Sequence, residues 1–280
     1  MEIRDSGVLD GPVLLFGGPY SNLQALRALM DWADANDIAR ENRICTGDVV
    51  AYCADPVGCI DLMQCKGGPV VAGNCEKELA VEAPDCSGDF AGRGTCARLA
   101  QDWYAYAARA LDAGHRAWLG SAADRVLFRH HGQRYVVLHG GAGDISRFLW
   151  PISADDEFWH EISILQEEVG AFDAVISGHG GLPFQRNIDG ISWINAGVIG
   201  LPANDGQRDT VFALLKEGEL QFQNLRYDAE EAAFAMERAG LTQGYDEALQ
   251  SGYWPSEEIL PKSMRHSPRA PVGEAGGLSP

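Results

Sequence analysis

Four short apolar runs in this chain each stop at a polar residue beside a glycine, and that pattern limits the fold more than any other feature. Arg43-Ile44-Cys45-Thr46 runs into Gly47-Asp48, and Gly68-Pro69-Val70-Val71-Ala72 into Gly73-Asn74. Tyr135-Val136-Val137-Leu138 runs into His139-Gly140, and Ala174-Val175-Ile176-Ser177 into Gly178-His179. Short apolar runs bounded by turn residues read as buried strands. A polar side chain at the carboxyl end of such a strand in an α/β protein points into the crevice where these folds bind ligands. One Gly-Asp pair alone is ordinary turn chemistry. Four strand ends are different, because a sheet gathers residues that lie far apart in sequence. Asp48, Asn74, His139 and His179 together offer one carboxylate, one amide oxygen and two imidazoles. That donor set suits a divalent transition metal such as Mn, Fe or Zn.

The remaining elements follow from periodicity. Val13-Leu14-Leu15-Phe16 reads as a buried strand, then a Gly-Gly-Pro loop, then a helix from Asn22 to about Asn36 with Leu23, Leu26, Leu29 and Ala33 on one face. The loop Gly17-Gly18-Pro19-Tyr20-Ser21 is expected to be able to present backbone N–H groups to an anion. It lacks the Lys-Ser/Thr of a P-loop and the third glycine of a dinucleotide fingerprint. A second strand covers Asn42 to Asp48, a helix starts at Asp55-Pro56, and a third strand spans Gly68 to Ala72. Strands alternating with helices describe parallel βαβ units. Turn residues crowd the stretch after Glu76, and a helix is expected from Arg98 to Ala113. Val126 to Leu138 reads as a hairpin with His130 and His131 exposed at its turn. A helix from Asp155 to Gly170 and strands at 174–177, 191–194 and 211–215 follow, with Leu220 to Leu225 returning antiparallel. Helices are expected at Asp228–Ala239 and Tyr245–Ser251, so residues 228–261 form a helical extension to a domain over 1–227. The polar, Pro- and Gly-rich stretch 262–280 is expected to be disordered.

Charge narrows the partners. Among 280 residues, 22 are Lys or Arg against 40 Asp or Glu, giving a formal charge of −18. No basic excess exists to neutralise phosphate backbones or anionic lipid, so neither nucleic acid nor membrane is an expected partner. The acidic stretch Met1 to Asp10 carries no signal-peptide pattern, and no apolar run nears the roughly 20 residues of a membrane span. The expected location is cytoplasmic. All seven cysteines lie between Cys45 and Cys96. With no Cys-x-x-Cys pair among them, they are expected mostly to be small buried apolar residues.

At the residues named above the sequence resembles the calcineurin-like metallophosphoesterase superfamily, in particular its YfcE-type bacterial branch and the retromer subunit that shares the fold. The resemblance covers roughly Val13 to Tyr227. Ser21-Asn22-Leu23-Gln24-Ala25-Leu26 is similar to the end of the first motif, Gly47-Asp48 with Asp55-Pro56 to the second, and Gly73-Asn74-Cys75-Glu76 to the third. His139-Gly140 and Gly178-His179 align with the fourth and fifth, and Asn195-Ala196-Gly197-Val198-Ile199-Gly200 with the closing segment. The resemblance implies an α/β fold of four layers, α-β-β-α, with mixed sheets.

It also implies a metal-dependent phosphoesterase acting on a small phosphorylated molecule. Asp48, Asn74 and His139 would be catalytic. Asp48, Asn74, His139 and His179 would hold the metal, and Tyr20, Asn22 and Cys75 would line the substrate. The departures fall together. The first-motif Asp and His of the family fall on Gly18 and Tyr20, and its last motif's second His on Gly181. Those three residues are the private ligands of one of the family's two metals, so a single ion is expected here. The alternatives are a catalytically silent member that binds a phosphorylated ligand or a protein, and other hydrolytic or redox chemistry through Cys75, Cys86 and Cys96.

Overall fold

Alternation within each strand sorts the apolar residues into separate cores, and the layers follow from that sorting. The computed structural model describes residues 1–83 and 95–266. β1 (Ile3–Val8) and β2 (Val13–Phe16) lead to α1 (Leu23–Ala35) and β3 (Arg43–Cys45). Four helices follow, α2 (Pro56–Lys66), α3 (Asn74–Ala80), α4 (Thr95–Ala110) and α5 (Ala113–Gly120). Next come β4 (Arg125–His130), β5 (Gln133–Val137), α6 (Asp155–Val169), β6 (Ala174–Ser177), β7 (Phe184–Ile188) and β8 (Ile191–Asn195). β9 (Thr210–Lys216), β10 (Glu219–Leu225), α7 (Ala229–Ala239) and α8 (Tyr245–Ser251) complete the described elements.

The strands form two mixed sheets, one of six strands in the order β1-β4-β5-β6-β8-β7 and one of four in the order β10-β9-β2-β3. Val13 and Leu15 of β2 face Val126, Phe128, Val137 and Ile176 of the larger sheet in a core between the sheets. Leu14 and Phe16 point the other way, into a core shared with α1, α2, α4, α7 and α8. On the far side, Leu127, Val136, Val175 and Trp193 pack against Phe158, Ile162 and Leu165 of α6. This is the expected four-layer α-β-β-α sandwich with mixed sheets, since apolar side chains alternate to both faces of a buried strand.

The parallel pairs β2–β3, β5–β6 and β6–β8 carry their carboxyl ends to one rim, where the polar ends Asp48, His139 and His179 meet. Several expectations change in detail. The run Gly68 to Ala72 forms no ladder; it contributes single bridges, Val70 to Cys45 and Val71 to Ala123. β1 and β7 escaped the sequence reading because both are edge strands with mostly exposed or half-exposed side chains, so neither shows a continuous apolar run. The helix expected over 98–113 is α4, which ends at Ala110, and a second helix that was not expected, α5, follows it with the Asp112 side chain as its cap. His130 is buried, against expectation. It shares the inward face of β4 with Val126 and Phe128, and its Nε2 lies 2.9 Å from the Gly11 carbonyl; only His131 is exposed.

Four of the cysteines, Cys45, Cys53, Cys59 and Cys75, are buried free thiols, while Cys65 is exposed. Cys86 and the Cys96 side chain lie outside what is described. Of the stretch 262–280, Lys262–Met264 forms a single 3-10 turn, and residues 267–280 lie outside the described residues. Among the described residues, no helix is long and apolar enough to cross a membrane.

Asn22 holds the first helix in place. Its Oδ1 accepts from the Ala25 amide at 3.0 Å as the N-cap, and its Nδ2 donates to the Gly200 carbonyl at 3.0 Å. Asn22→Ala should lower stability by about 1–2 kcal/mol through loss of the cap. The check is the midpoint of denaturant unfolding, and an unshifted midpoint would show that the cap contributes nothing.

Candidate metal centre

Each expected ligand comes from a different piece of chain, and each piece ends where the two sheets meet. Asp48 follows β3 by three residues and sits in the left-handed region, φ 56°. That conformation is costly for a non-glycine residue and is found where surrounding structure over-determines it. Gly47 before it, φ 101°, is required: a Cβ there would lie 2.9 Å from His139 Nδ1 and 2.7 Å from the Gly73 amide. Asn74 opens α3, His139 follows β5 by two residues, and His179 follows β6 by two. Ligand atoms of Asp48, His139 and His179 all lie within 4.8 Å of one another, and all three side chains are buried. Asn74 joins them, with Oδ1 3.2 Å from His139 Nε2. The four expected metal ligands therefore converge.

A second layer fixes their orientation. His139 Nδ1 lies 2.7 Å from the Thr46 carbonyl. A carbonyl only accepts, so Nδ1 carries a proton and Nε2 is turned toward Asp48 Oδ2 at 3.3 Å and His179 Nδ1 at 2.9 Å. Glu76 does the corresponding work for the carboxylate loop. It is fully buried and accepts from the amides of Asp48 at 2.7 Å, Val49 at 2.7 Å and Gly73 at 2.8 Å. The sequence reading quoted Glu76 within a motif but gave it no role. The available signal was its spacing, an acidic residue at the third position of a helix that opens after Gly73.

The electrostatics show what the cluster favours. Burial opposes charge on His139, yet the Asp48 carboxylate and its hydrogen bond overcome this and raise the imidazole to about 9. Burial likewise opposes charge on Asp48, and His139 outweighs it, holding the carboxyl below its ordinary value. Burial, then the charge on His139, pushes His179 down to about 3. Burial, then the charge on Asp48, pushes Glu76 up to about 7. A cluster that retains a proton this strongly is a site for positive charge. One neutral imidazole, a second fixed in tautomer, an amide oxygen and a carboxylate fit a divalent cation in place of that proton.

The expected substrate residues divide. Tyr20 is 5% exposed and borders the site. A Cβ built on Gly18 would lie 2.5 Å from its Cζ, so the ring fills the volume that any side chain at position 18 would take. A Cβ on Gly181 would meet Val198 at 3.4 Å and the Trp254 ring at 3.9 Å. Asn22 is 1% exposed and committed to capping α1 and to Gly200. Cys75 is 3% exposed; its amide lies 3.4 Å from Asp48 Oδ1, and its sulfur lies 3.6 Å from Asn74 Nδ2.

The anion cradle expected at Gly17–Ser21 does not form. The amides of Gly17, Gly18, Tyr20, Ser21 and Asn22 donate to the carbonyls of Gly197, Gly47, Asp48, Val49 and Pro19. The loop is spent on holding itself to Asp48. Beside the ligands lies a pocket of about 50 Å³ whose walls include Tyr20, Tyr52, Phe148, Tyr245 and Trp254. A larger groove of about 770 Å³, near Arg4, Arg40 and Trp118, contains none of the site residues.

Two substitutions probe this construction. In Glu76→Gln, either orientation of the amide sets its NH2 against a backbone N–H, so stability should fall by about 1–3 kcal/mol despite equal size; thermal unfolding checks it. Gly18→Ala should cost about 1–3 kcal/mol by overpacking. The cost should shrink by about 1 kcal/mol or more in a Tyr20→Ala background, because the clash is with that ring. A double-mutant cycle on unfolding free energy reads the coupling, and strict additivity would count against it.

Comparison with known proteins agrees with the geometry. A profile described as calcineurin-like phosphoesterase matches residues 12–195. The fold is similar to a metallophosphoesterase from Sphaerobacter thermophilus, TM-score 0.66 at 19% identity, over 86% of this chain and 99% of that one. It is also similar to a hypothetical protein from Pyrococcus horikoshii OT3, TM-score 0.70 at 14% identity, over 88% and 98%. No curated protein matches the chain. The matched segment spans β2 to the end of β8 and includes all four converging residues, and the chain belongs to the calcineurin-like phosphoesterase family.

Proposed function

We propose that this protein is a phosphoesterase that works with one divalent metal ion, held by Asp48, Asn74, His139 and His179. The observation that carries the reading is the fate of the other ligand positions. The Tyr20 ring fills the space at Gly18, and Val198 and Trp254 stand beside Gly181. These are the positions at which the motifs it resembles carry Asp, His and His, and of the groups now there only the Tyr20 hydroxyl offers a metal a donor atom, one in place of three.

When bound, a divalent ion would polarise a phosphoryl oxygen and lower the pKa of a coordinated water. The chain supplies the rest. His139 offers Nε2 because Thr46 holds Nδ1. Glu76 holds the backbone on both sides of the Asp48 and Gly73 turns. The neutral His179 ring, its pKa near 3, is ready to donate a lone pair. The buried surroundings keep bulk water from screening these interactions.

A second reading has one observation in its favour. The pocket beside the ligands, about 50 Å³, is far below the roughly 300–1,000 Å³ usual for small-ligand sites. A catalytically silent member of the family that binds a protein or a phosphorylated ligand elsewhere would need no more room.

Metal analysis of protein purified without chelator should find about one ion per chain, and Asp48→Asn should weaken retention by more than the roughly 10–100-fold that a supporting residue costs. Hydrolysis of p-nitrophenyl phosphate with Mn²⁺ should be lost in the same variant. Two ions per chain would overturn the single-ion reading, and turnover that survives Asp48→Asn would overturn the catalytic one.

A further inference from the structure

The pocket beside the ligands has two kinds of wall. Tyr20, Tyr52 and Val198 belong to the packed core. Tyr52 meets Tyr20 edge-on at 4.7 Å and Tyr245 at 4.5 Å, so these rings brace one another. Phe148 and Leu201 come from other loops, and the last part of the wall is Trp254, Pro255, Ser256 and Ile259. This segment follows α8 at Gly252, whose left-handed conformation (φ 76°) marks a natural pivot, and it forms no helix or strand.

Side-chain bonds tie it down at several points, and the Arg265 guanidinium holds the Glu258 and Leu260 carbonyls at its far end. The Trp254 amide donates to Asn204 Oδ1 at 2.8 Å, and its indole N–H to the Pro202 carbonyl at 2.7 Å. Asn204 in turn donates from Nδ2 to Glu257 Oε1 at 2.7 Å, and His266 Nδ1 lies 2.5 Å from the same oxygen. Asn204, 5% exposed, thus holds the strap at Trp254 and at Glu257.

The chemistry of the pocket sets what can enter. Its lining includes five aromatic residues with Val198, Leu201, Pro255 and Ile259, and no lysine or arginine among the described residues. Among the described lining residues nothing but an ion at the converging cluster would answer a phosphoryl group's charge, and most of the wall beyond it is apolar.

We propose that residues 253–260 are a displaceable strap, and that Trp254 determines specificity by occupying the place of the aromatic part of a phosphate ester. The proposal rests on the phosphoesterase reading for the role of the ion. The indole lies against Gly181 and in the same pocket as Tyr20, next to the ligands. An aryl group attached to a phosphoryl group at the ion would need that volume and would find the same rings to pack on. Bound ester and closed strap are therefore mutually exclusive, and the closed state lowers apparent affinity by the fraction of time it persists.

Calorimetric binding of phenyl phosphate and methyl phosphate to the Mn²⁺-loaded protein tests this, because the two esters share charge and differ in the aryl group. Trp254→Ala should tighten phenyl phosphate by about tenfold or more, and methyl phosphate by much less. Asn204→Gly keeps the left-handed backbone (φ 59° at Asn204) while cutting both tethers, and should tighten both esters. In that variant, amide exchange over 253–260 should rise by about tenfold or more without metal or ester present. Equal gains for the two esters in Trp254→Ala, or no phenyl phosphate binding by either protein, would overturn the specificity role. Unchanged exchange in Asn204→Gly would overturn the strap. Failure of the phosphoesterase reading registers separately, as wild-type protein that retains no ion.

Discussion

The centre depends on a buried carboxylate that is not itself among the ligands. Glu76 has no exposure to solvent and takes three backbone N–H groups, two from the turn that carries Asp48 and one from Gly73 before Asn74. A charge buried in this way is tolerable only when fully hydrogen-bonded. Meeting that demand fixes the left-handed Asp48 and the first turn of α3 relative to each other. The contact from His139 to the Thr46 carbonyl then ties this assembly to the other sheet. Two short bonding networks thus set the positions of residues that the sequence separates by up to 131 positions, from Asp48 to His179.

The glycines around the site are the counterpart of that demand. A side chain on Gly73 would collide with Asp48 Oδ1, and one on Gly47 would press on His139. Gly18 is different in kind. What crowds it is the Tyr20 ring of the same loop, so the absence of a side chain at 18 and the presence of a ring at 20 are one packing solution. The space next to the four converging residues is aromatic and small, which limits solvent there and lowers the local dielectric. One part of that closure is the irregular segment after Gly252.

Much of this was legible in the chain. Buried strands such as Val13–Phe16 and Ala174–Ser177 announce themselves as continuous apolar runs, and α1 by its 3.6-residue period. The four ligands could be named because each sits at the end of such a run. The edge strands β1 and β7 were not legible, since an edge strand with solvent on one side need not be apolar. His130 was misjudged for a related reason: adjacency to a turn suggests exposure, but strand parity put its ring toward the second sheet beside Phe128. The anion cradle at Gly17–Ser21 looked plausible from its glycines alone. Its amides are spent on partners between 28 and 180 residues away, such as Asp48 and Gly197.

The sequence by itself determined which residues could be ligands, because side-chain chemistry and strand-end placement are local properties. Only the tertiary structure decided what stands beside them and what covers them. Trp254 stands more than seventy residues after Gly181, on an irregular segment, and nothing in its neighbourhood in the chain points to the centre. Its place follows from close packing: interiors leave few voids, and which distant group lines the site is settled only when the whole chain has folded.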